Sequence, residues 1–256
     1  MRLRAKVIIV TGSTTGIGRA IAERCVAEGA RVVVHGRDRA KGEAVVAKLG
    51  PAAVLHTDDL ADPACPARLA ATAMQAFGRI DGVVNNAAII PRTTIHTATV
   101  EDFEATMAIN VRAPLFLIQA AFPQLKANQG SVINIGSINA HSGEPTFLHY
   151  ATSKGALQTM SRNLANAHCG DKVRFTHFNV GWVLSENEYA KQVSEGQPAD
   201  WPDKLSPTYA PSGHLIRPET IAAAAVFWLS DESRPISGTV MELEQYSVYG
   251  RNPAKT

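Results

Sequence analysis

Short runs of Val and Ile alternate along this chain with longer stretches whose apolar residues recur every three or four positions. Such alternation is the mark of strands feeding helices in βαβ units, and it argues for a parallel sheet. The runs at 6–10, 31–35, 53–56, 80–85, 131–135, 173–179 and 239–243 read as strands. Stretches 17–28, 40–49, 63–77, 101–126, 149–168 and 218–229 read as helices. Gly29 is placed to end the first helix, Pro63 and Pro218 to open later ones, and Pro114 to kink or break the long one. The expected architecture is α/β: a single doubly wound parallel sheet of about seven strands flanked by helices, one domain spanning residues 1–256. Repeats, low-complexity tracts and linkers are not evident. The stretch 185–214 breaks the rhythm, being rich in Glu, Gln, Asn, Pro and Trp, and it follows the sixth strand. Ligands in open parallel sheets bind at the carboxyl ends of strands, so this insertion reads as a helical substrate lid, with Tyr189, Trp201 and Tyr209 to pack it.

Composition narrows the picture. With 256 residues the chain can bury a large core, and a net charge of +2 with scattered Lys and Arg gives no footprint for nucleic acid or an anionic membrane. Cys25, Cys65 and Cys169 are isolated and form no CxxC pair, which favours a reducing compartment. The first apolar run, VIIV, is too short for a signal-peptide core, and no span approaches membrane-helix length. A soluble, cytoplasmic protein is the expectation. No HExxH and no paired Cys/His set announces a metal site.

Two stretches carry the chemistry. Tyr150 and Lys154 stand four apart, so on a helix they share a face. A phenol has a pKa of about 10, and an ammonium nearby favours the phenolate, bringing its proton within reach of acid/base work. Ser137 ends an apolar run and can meet that phenol at one edge of the sheet, where a carbonyl could be polarised and its oxygen protonated. Tyr-x-x-x-Lys alone equally describes a solvated helix face. The second stretch is Thr11-Gly12-Ser13-Thr14-Thr15-Gly16-Ile17-Gly18, which follows the first strand and opens the first helix. Its glycines allow a tight turn and close approach to a pyrophosphate, and the helix N-terminus offers N–H groups to phosphate, as in Rossmann-type dinucleotide sites.

With these motifs on one chain, the sequence resembles the short-chain dehydrogenase/reductase family. The resemblance rests on the TGxxxGxG loop at 11–18, Asn85-Asn86-Ala87, Asn110, Ser137, Tyr150 and Lys154, and runs from residue 6 to about 185. It implies that Tyr150 is the general acid or base and that Ser137 hydrogen-bonds the reacting oxygen. It further implies that Lys154 lowers the tyrosine pKa and holds the nicotinamide ribose, and that Asn110 supports a proton-relaying water. The loop residues Gly12 to Gly18, with Asn86 and Ala87, would follow the cofactor, and Asp59-Leu60 would meet the adenine. Val183 and Ser185 match positions that hold the carboxamide and phosphates. Asn85 and Asn110 have a second reading, as groups that satisfy buried backbone, and Asp58 adjoins Asp59 as an alternative. At the end of the second strand, the position of a ribose-binding carboxylate is Gly36, followed by Arg37 and Asp38. A guanidinium suits a 2′-phosphate, so NADP(H) is expected, with NAD left open by Asp38.

The family's Pro-Gly after the sixth strand is here Val180-Gly181, and its Val-Asp-Gly-Gly near the C-terminus is replaced by Glu242-Leu243-Glu244-Gln245-Tyr246. A homotetramer is implied, with its contacts altered there. Substrate-lining candidates are Arg92, Asn139, Glu144, Trp182 and Asn187, with His141, His149, Glu186 and Glu188 nearby in sequence. Arg92 is a candidate carboxylate clamp. This polar set favours a sugar, polyol or sugar acid over an apolar ketone. The expected activity is hydride transfer between a secondary alcohol and a ketone. A carbonyl reductase for hydrophobic ketones and a non-catalytic dinucleotide sensor are the alternatives.

Overall fold

The computed structural model describes residues 1–248; residues 249–256, the end of the expected domain, lie outside the described part. Strands β1 (Val7–Val10), β2 (Arg31–Gly36), β3 (Ala53–Thr57), β4 (Gly82–Asn85), β5 (Ser131–Ser137), β6 (Arg174–Val180) and β7 (Thr239–Leu243) form one parallel sheet. Their order is β3-β2-β1-β4-β5-β6-β7. The helices are α1 (Gly16–Ala27), α2 (Arg39–Leu49), α3 (Cys65–Phe77), α4 (Val100–Met107), α5 (Ala113–Ala127), α6 (Asn139–Ser142), α7 (Leu148–Ala167), α8 (Glu186–Ser194) and α9 (Pro218–Leu229).

The strands are apolar throughout because both faces are covered, as parallel sheets require. Successive side chains point to opposite faces. Thus Ile8, Val10, Val32 and Val34 pack with Ile21 of α1 and Ile221 of α9, whereas Val7, Ile9 and Val33 pack with Leu69 of α3 and Leu117 of α5. β1 lies between β2 and β4, so the chain leaves it in one direction and later returns on its other side. The carboxyl ends of β1 and β4 therefore border a crevice, where open α/β sheets hold ligands.

Four expectations change. The third helix starts at Cys65 with Pro66 in its first turn, and Pro63 belongs to the preceding turn, where Asp62 accepts from the Ala64 and Cys65 N–H groups. The long helix changes to a π-helical turn at Ala108–Arg112, directly ahead of Pro114 in the first turn of α5. The continuous run Val100–Ala127, in which an 18-residue window has a mean hydropathy of 1.3, is long and apolar enough to cross a membrane. The apolar side of α5, including Leu117, Ile118, Ala121 and Leu125, is instead buried in the core beneath the sheet. As for the lid, only α8 and a 3₁₀ turn at Trp201–Lys204 are helical, and the rest of 185–214 is turns and irregular backbone. A bridge between Val183 and Ile216 closes its base.

Candidate active site

A continuous cleft of about 1010 Å³ runs along the carboxyl edge of the sheet, from Gly36 and Arg37 at one end to Tyr150, Trp182 and Tyr209 at the other. Its floor is the glycine loop. Gly12 and Gly16 hold φ of 61° and 54°, and a Cβ on Gly12 would stand 2.9 Å from the Ala87 Cα. The loop is laced to the segment after β4: Asn86 donates from Nδ2 to the carbonyls of Thr11 (2.9 Å) and Gly12 (3.1 Å). The N–H groups of Asn86 and Ala87 donate to Thr11 Oγ1. Gly12, Thr14, Thr15, Gly16 and Ile17 line the cleft. Ser13 and Gly18 do not. Ser13 is fully buried, donating to the Val10 carbonyl (2.7 Å) and accepting from the His35 N–H (3.0 Å), while Gly18 lets α1 press against Gly12 and Asn86.

At the far end Arg37, Asp59 and Leu60 line the cleft, and Arg37 lies 3.8 Å from the Asp59 carboxylate. Gly36 has no room for a side chain, because a Cβ would meet the Thr14 methyl at 2.6 Å. Asp38 caps α2, accepting from the Lys41 N–H at 3.0 Å. Asp58 is held by Arg68 through two bonds of 2.8 and 3.0 Å, which decides between the adjoining aspartates in favour of Asp59 as the cleft residue. His56, Asp58 and Cys65 do bring ligand atoms within 4.8 Å of one another, a grouping no sequence spacing announced, but the Arg68 guanidinium already supplies the positive charge there. His35 was not anticipated. Its Nδ1 accepts from the Gly12 N–H at 3.3 Å, and burial pulls its pKa to about 4, so the ring is neutral. The strand-end position just before Gly36 was the available signal.

Ser137 ends β5 and Tyr150 and Lys154 lie on α7, whose first turn is fastened by Thr93: its carbonyl accepts from the Leu148 N–H and its hydroxyl from the His149 N–H. The Tyr150 hydroxyl and Ser137 line the same cleft, close enough for the serine to act on the phenol. Burial pushes the Tyr150 pKa up to about 12, Ser137 opposes this, and the negative charge of Glu188 adds to it. The net direction is opposite to the lowering expected from Lys154. The Lys154 ammonium donates to the Ile135 carbonyl at 2.7 Å and sits 5.5 Å from the Tyr150 ring centroid. Burial alone brings its pKa down to about 8. Asn110 is buried in the π turn, where it accepts from the Ile89 N–H (2.9 Å) and donates to the Ile89 carbonyl (3.0 Å) and Ser153 Oγ (3.0 Å). It does not line the cleft; it fixes Ile89, which does. Asn85 donates to Asn134 at 2.8 Å rather than to backbone.

Arg92, Asn139, Glu144, Trp182 and Asn187 all line the cleft, with Phe147 and Glu188. Arg92 is not a free clamp, because Glu195 of the lid neutralises it at 2.6 Å. Asn187 reaches across to Thr15 Oγ1 at 2.9 Å, tying the lid to the glycine loop. Val183 and Ser185 line the cleft, and Ser185 also caps α8. Gly181 is pressed by the Glu244 carboxylate, which accepts from the Trp182 N–H at 3.2 Å. His141 faces inward to Asn179 at 2.9 Å, His149 packs edge-on to Phe103, and Glu186 pairs with Arg19, so none of the three belongs to the cleft.

The fold and this convergence define an oxidoreductase of the dinucleotide-binding class: a glycine cradle and a helix N-terminus at one end of a cleft, a phenol, a serine and a lysine gathered at the other. The family model for short chain dehydrogenases matches residues 6–196. Among relatives, an NADP-dependent (R)-specific alcohol dehydrogenase of Lentilactobacillus kefiri is 34% identical over 93% of this chain and 94% of its own. A D-threitol dehydrogenase of Mycolicibacterium smegmatis is 32% identical over 95% and 93% respectively. A 3-oxoacyl (acyl-carrier-protein) reductase from Agrobacterium tumefaciens, solved with NADP bound, superposes with a TM-score of 0.86 at 29% identity, covering 94% of this chain and 93% of that one. The chain belongs to the short-chain dehydrogenase/reductase family, enzymes acting on CH–OH groups.

The buried ammonium has a measurable consequence. Lys154 titrates near 8 in the folded protein against 10.5 ordinarily, so folding pays for burying its charge below pH 8, a cost on the order of 3 kcal/mol. Between about pH 8 and 10.5 the unfolded chain binds the extra proton, and the cost fades as pH rises. Lys154→Met is expected to melt at higher temperature than the parent at pH 7, with the gap closing toward pH 10.5 in a thermal-melt series. A variant that melts lower at pH 7 would show that the ammonium's contacts outweigh its desolvation.

Proposed function

We propose that this protein is an NADP(H)-dependent dehydrogenase/reductase interconverting a polar secondary alcohol and its ketone. The observation that supports it most is the meeting of Ser137, Tyr150 and Lys154 in the same cleft as the glycine loop. The residues present fit a dinucleotide: Gly12 and Gly16 leave a backbone cradle, Thr14, Thr15 and Ile17 lie on its rim, and Asn86 holds the loop in shape. When bound, the nicotinamide supplies or accepts the hydride. The chain's part is to place and protonate the oxygen. Ser137 hydrogen-bonds it, and Tyr150 gives the proton in reduction or takes it in oxidation. Lys154 adds positive charge at the phenol's side, and Asn110 holds the Ile89 backbone against the cleft. Ala87, Gly181, Val183 and Ser185 are assigned to the cofactor's path, with Asp59 and Leu60 at the adenine. One domain carries both cofactor and substrate.

Three observations support NADP(H) over NAD(H). Gly36 stands where a ribose-binding carboxylate would, Arg37 lies in the cleft, and the Asp38 carboxylate is occupied as a helix cap. The polar reading of the substrate rests on Asn139, Glu144, Asn187 and Glu188 in the cleft. Ile90, Ile138 and Phe147 line it as well and favour the second reading, a reductase of apolar ketones. The exposed side chains Phe103, Leu115, Phe116 and Leu148 on α4, α5 and α7 supply an apolar surface for a homotetramer. Three unpaired cysteines fit a cytoplasmic setting.

Tyr150→Phe is expected to lower turnover about a thousandfold while nicotinamide fluorescence still reports cofactor binding. Full activity of that variant would end the proposal, and loss of cofactor binding would point to collapse of the site. Arg37→Ala is expected to reduce the NADP/NAD ratio of kcat/KM by about tenfold or more, and an unchanged ratio assigns the preference elsewhere. Light scattering should give a mass four times that of one chain, and a monomer would remove the tetramer.

A further inference from the structure

We propose that Glu188 is a specificity-determining residue, a carboxylate that accepts a hydrogen bond from a second substrate hydroxyl on the carbon beside the reacting one. The inference rests on the alcohol–ketone reading above and narrows its substrate class to vicinal diols and α-hydroxyketones.

The placement is built. Glu188 lies in the first turn of α8, where its N–H donates to the capping Ser185 hydroxyl at 3.1 Å. Its Oε1 accepts from Trp182 Nε1 at 2.9 Å and from Gln192 Nε2 at 2.9 Å. Trp182 follows Gly181 at the end of β6, so the carboxylate is fastened to the backbone turn that roofs the site rather than to the lid alone. Both partners are neutral donors. They orient the charge without cancelling it. Of the cations on the same wall, Arg92 is paired with Glu195 at 2.6 Å and Lys191 lies 3.9 Å from the same carboxylate. Among the described residues, Oε2 of Glu188 makes no hydrogen bond. Glu188 lines a cleft whose other walls include Ile90, Ile138 and Phe147.

Glu188 lines the same cleft as Ser137 and Tyr150, and its negative charge acts on the phenol. A substrate whose reacting oxygen meets Ser137 and Tyr150 then shares that cleft with the Glu188 carboxylate, the acceptor for a hydroxyl on the neighbouring carbon. A hydroxyl there satisfies Oε2. A substrate lacking it displaces water from a carboxylate and returns nothing, and sites built around a hydroxyl reject the deoxy analogue for that reason.

The test compares short vicinal diols with the mono-alcohols that lack the second hydroxyl, using the full-length enzyme with its preferred nicotinamide cofactor. The quantity read is the diol to mono-alcohol ratio of kcat/KM. Glu188→Met, close in length but without an acceptor, is expected to lower that ratio by about tenfold or more. Glu188→Gln, a weaker neutral acceptor, should lower it less, and it decides the matter if the Met variant no longer binds cofactor. A ratio within about twofold of the parent in the folded variant overturns the assignment. So does a parent enzyme that prefers the matching amino alcohol, because the carboxylate would then be reading an ammonium. Failure of the parent on every alcohol and ketone, with cofactor bound, strikes the underlying alcohol–ketone reading instead.

Discussion

An ammonium with almost no access to water is the constraint around which this molecule is arranged. Lys154 is 2% exposed, and its donor reaches the carbonyl of Ile135, two residues before the serine that meets the tyrosine. That contact brings helix α7 against strand β5 at one height. It thereby sets where Tyr150 falls relative to Ser137. Strand β5 can receive it only because Gly136 has no side chain, since the space behind that residue is filled by the His177 ring. His177 in turn bonds Ser161 of α7 at 3.1 Å and Asn179 at 3.0 Å, and burial followed by the Lys154 charge brings its pKa down to about 3. The polar column behind the site is thus a neutral one. It braces α7 against the sheet without adding a second charge beside the first.

The opposite side of the cleft handles charge differently. Arg92 and Lys191 face Glu195, so these two cations at the substrate end already have carboxylate company. An incoming anionic group must compete with these pairs, whereas hydroxyl groups meet Glu144 and Glu188 as acceptors. The wall therefore discriminates by hydrogen-bond polarity more than by net charge.

Much of this was legible in the sequence, for identifiable reasons. The apolar runs that became the seven strands are continuous because both faces of the sheet are buried, and the glycine loop is legible because only glycine tolerates its two left-handed turns. The Tyr150/Lys154 spacing survived because helix periodicity is a local property. What stayed hidden depends on contacts distant in sequence. Ser13 sits inside the loop motif yet turns its hydroxyl to Val10 and His35, and no pattern within the loop announces that direction. The partner of Arg92 is more than a hundred residues away, on the lid. The π turn that buries Asn110 adds one residue to a helix whose hydrophobic pattern continues through it, so periodicity alone reads a single regular helix. The tyrosine's raised pKa reflects how completely the site is closed, which only the packed structure reveals.

The insertion over the site has a small interior of its own. Trp201, Ala210 and Leu215 are buried there with Trp182, Leu184 and Leu205 around them, separate from the two apolar layers that sandwich the sheet. Trp201 stacks on Trp182 at 5.5 Å and on Tyr189 at 6.4 Å between ring centres. A module that keeps its own rings together can be rewritten, residue by residue, while the sheet that orders the dinucleotide end stays untouched. Divergence toward new substrates then has a cheap route in this architecture, and the record of past ones would be written in that insertion rather than in the strands.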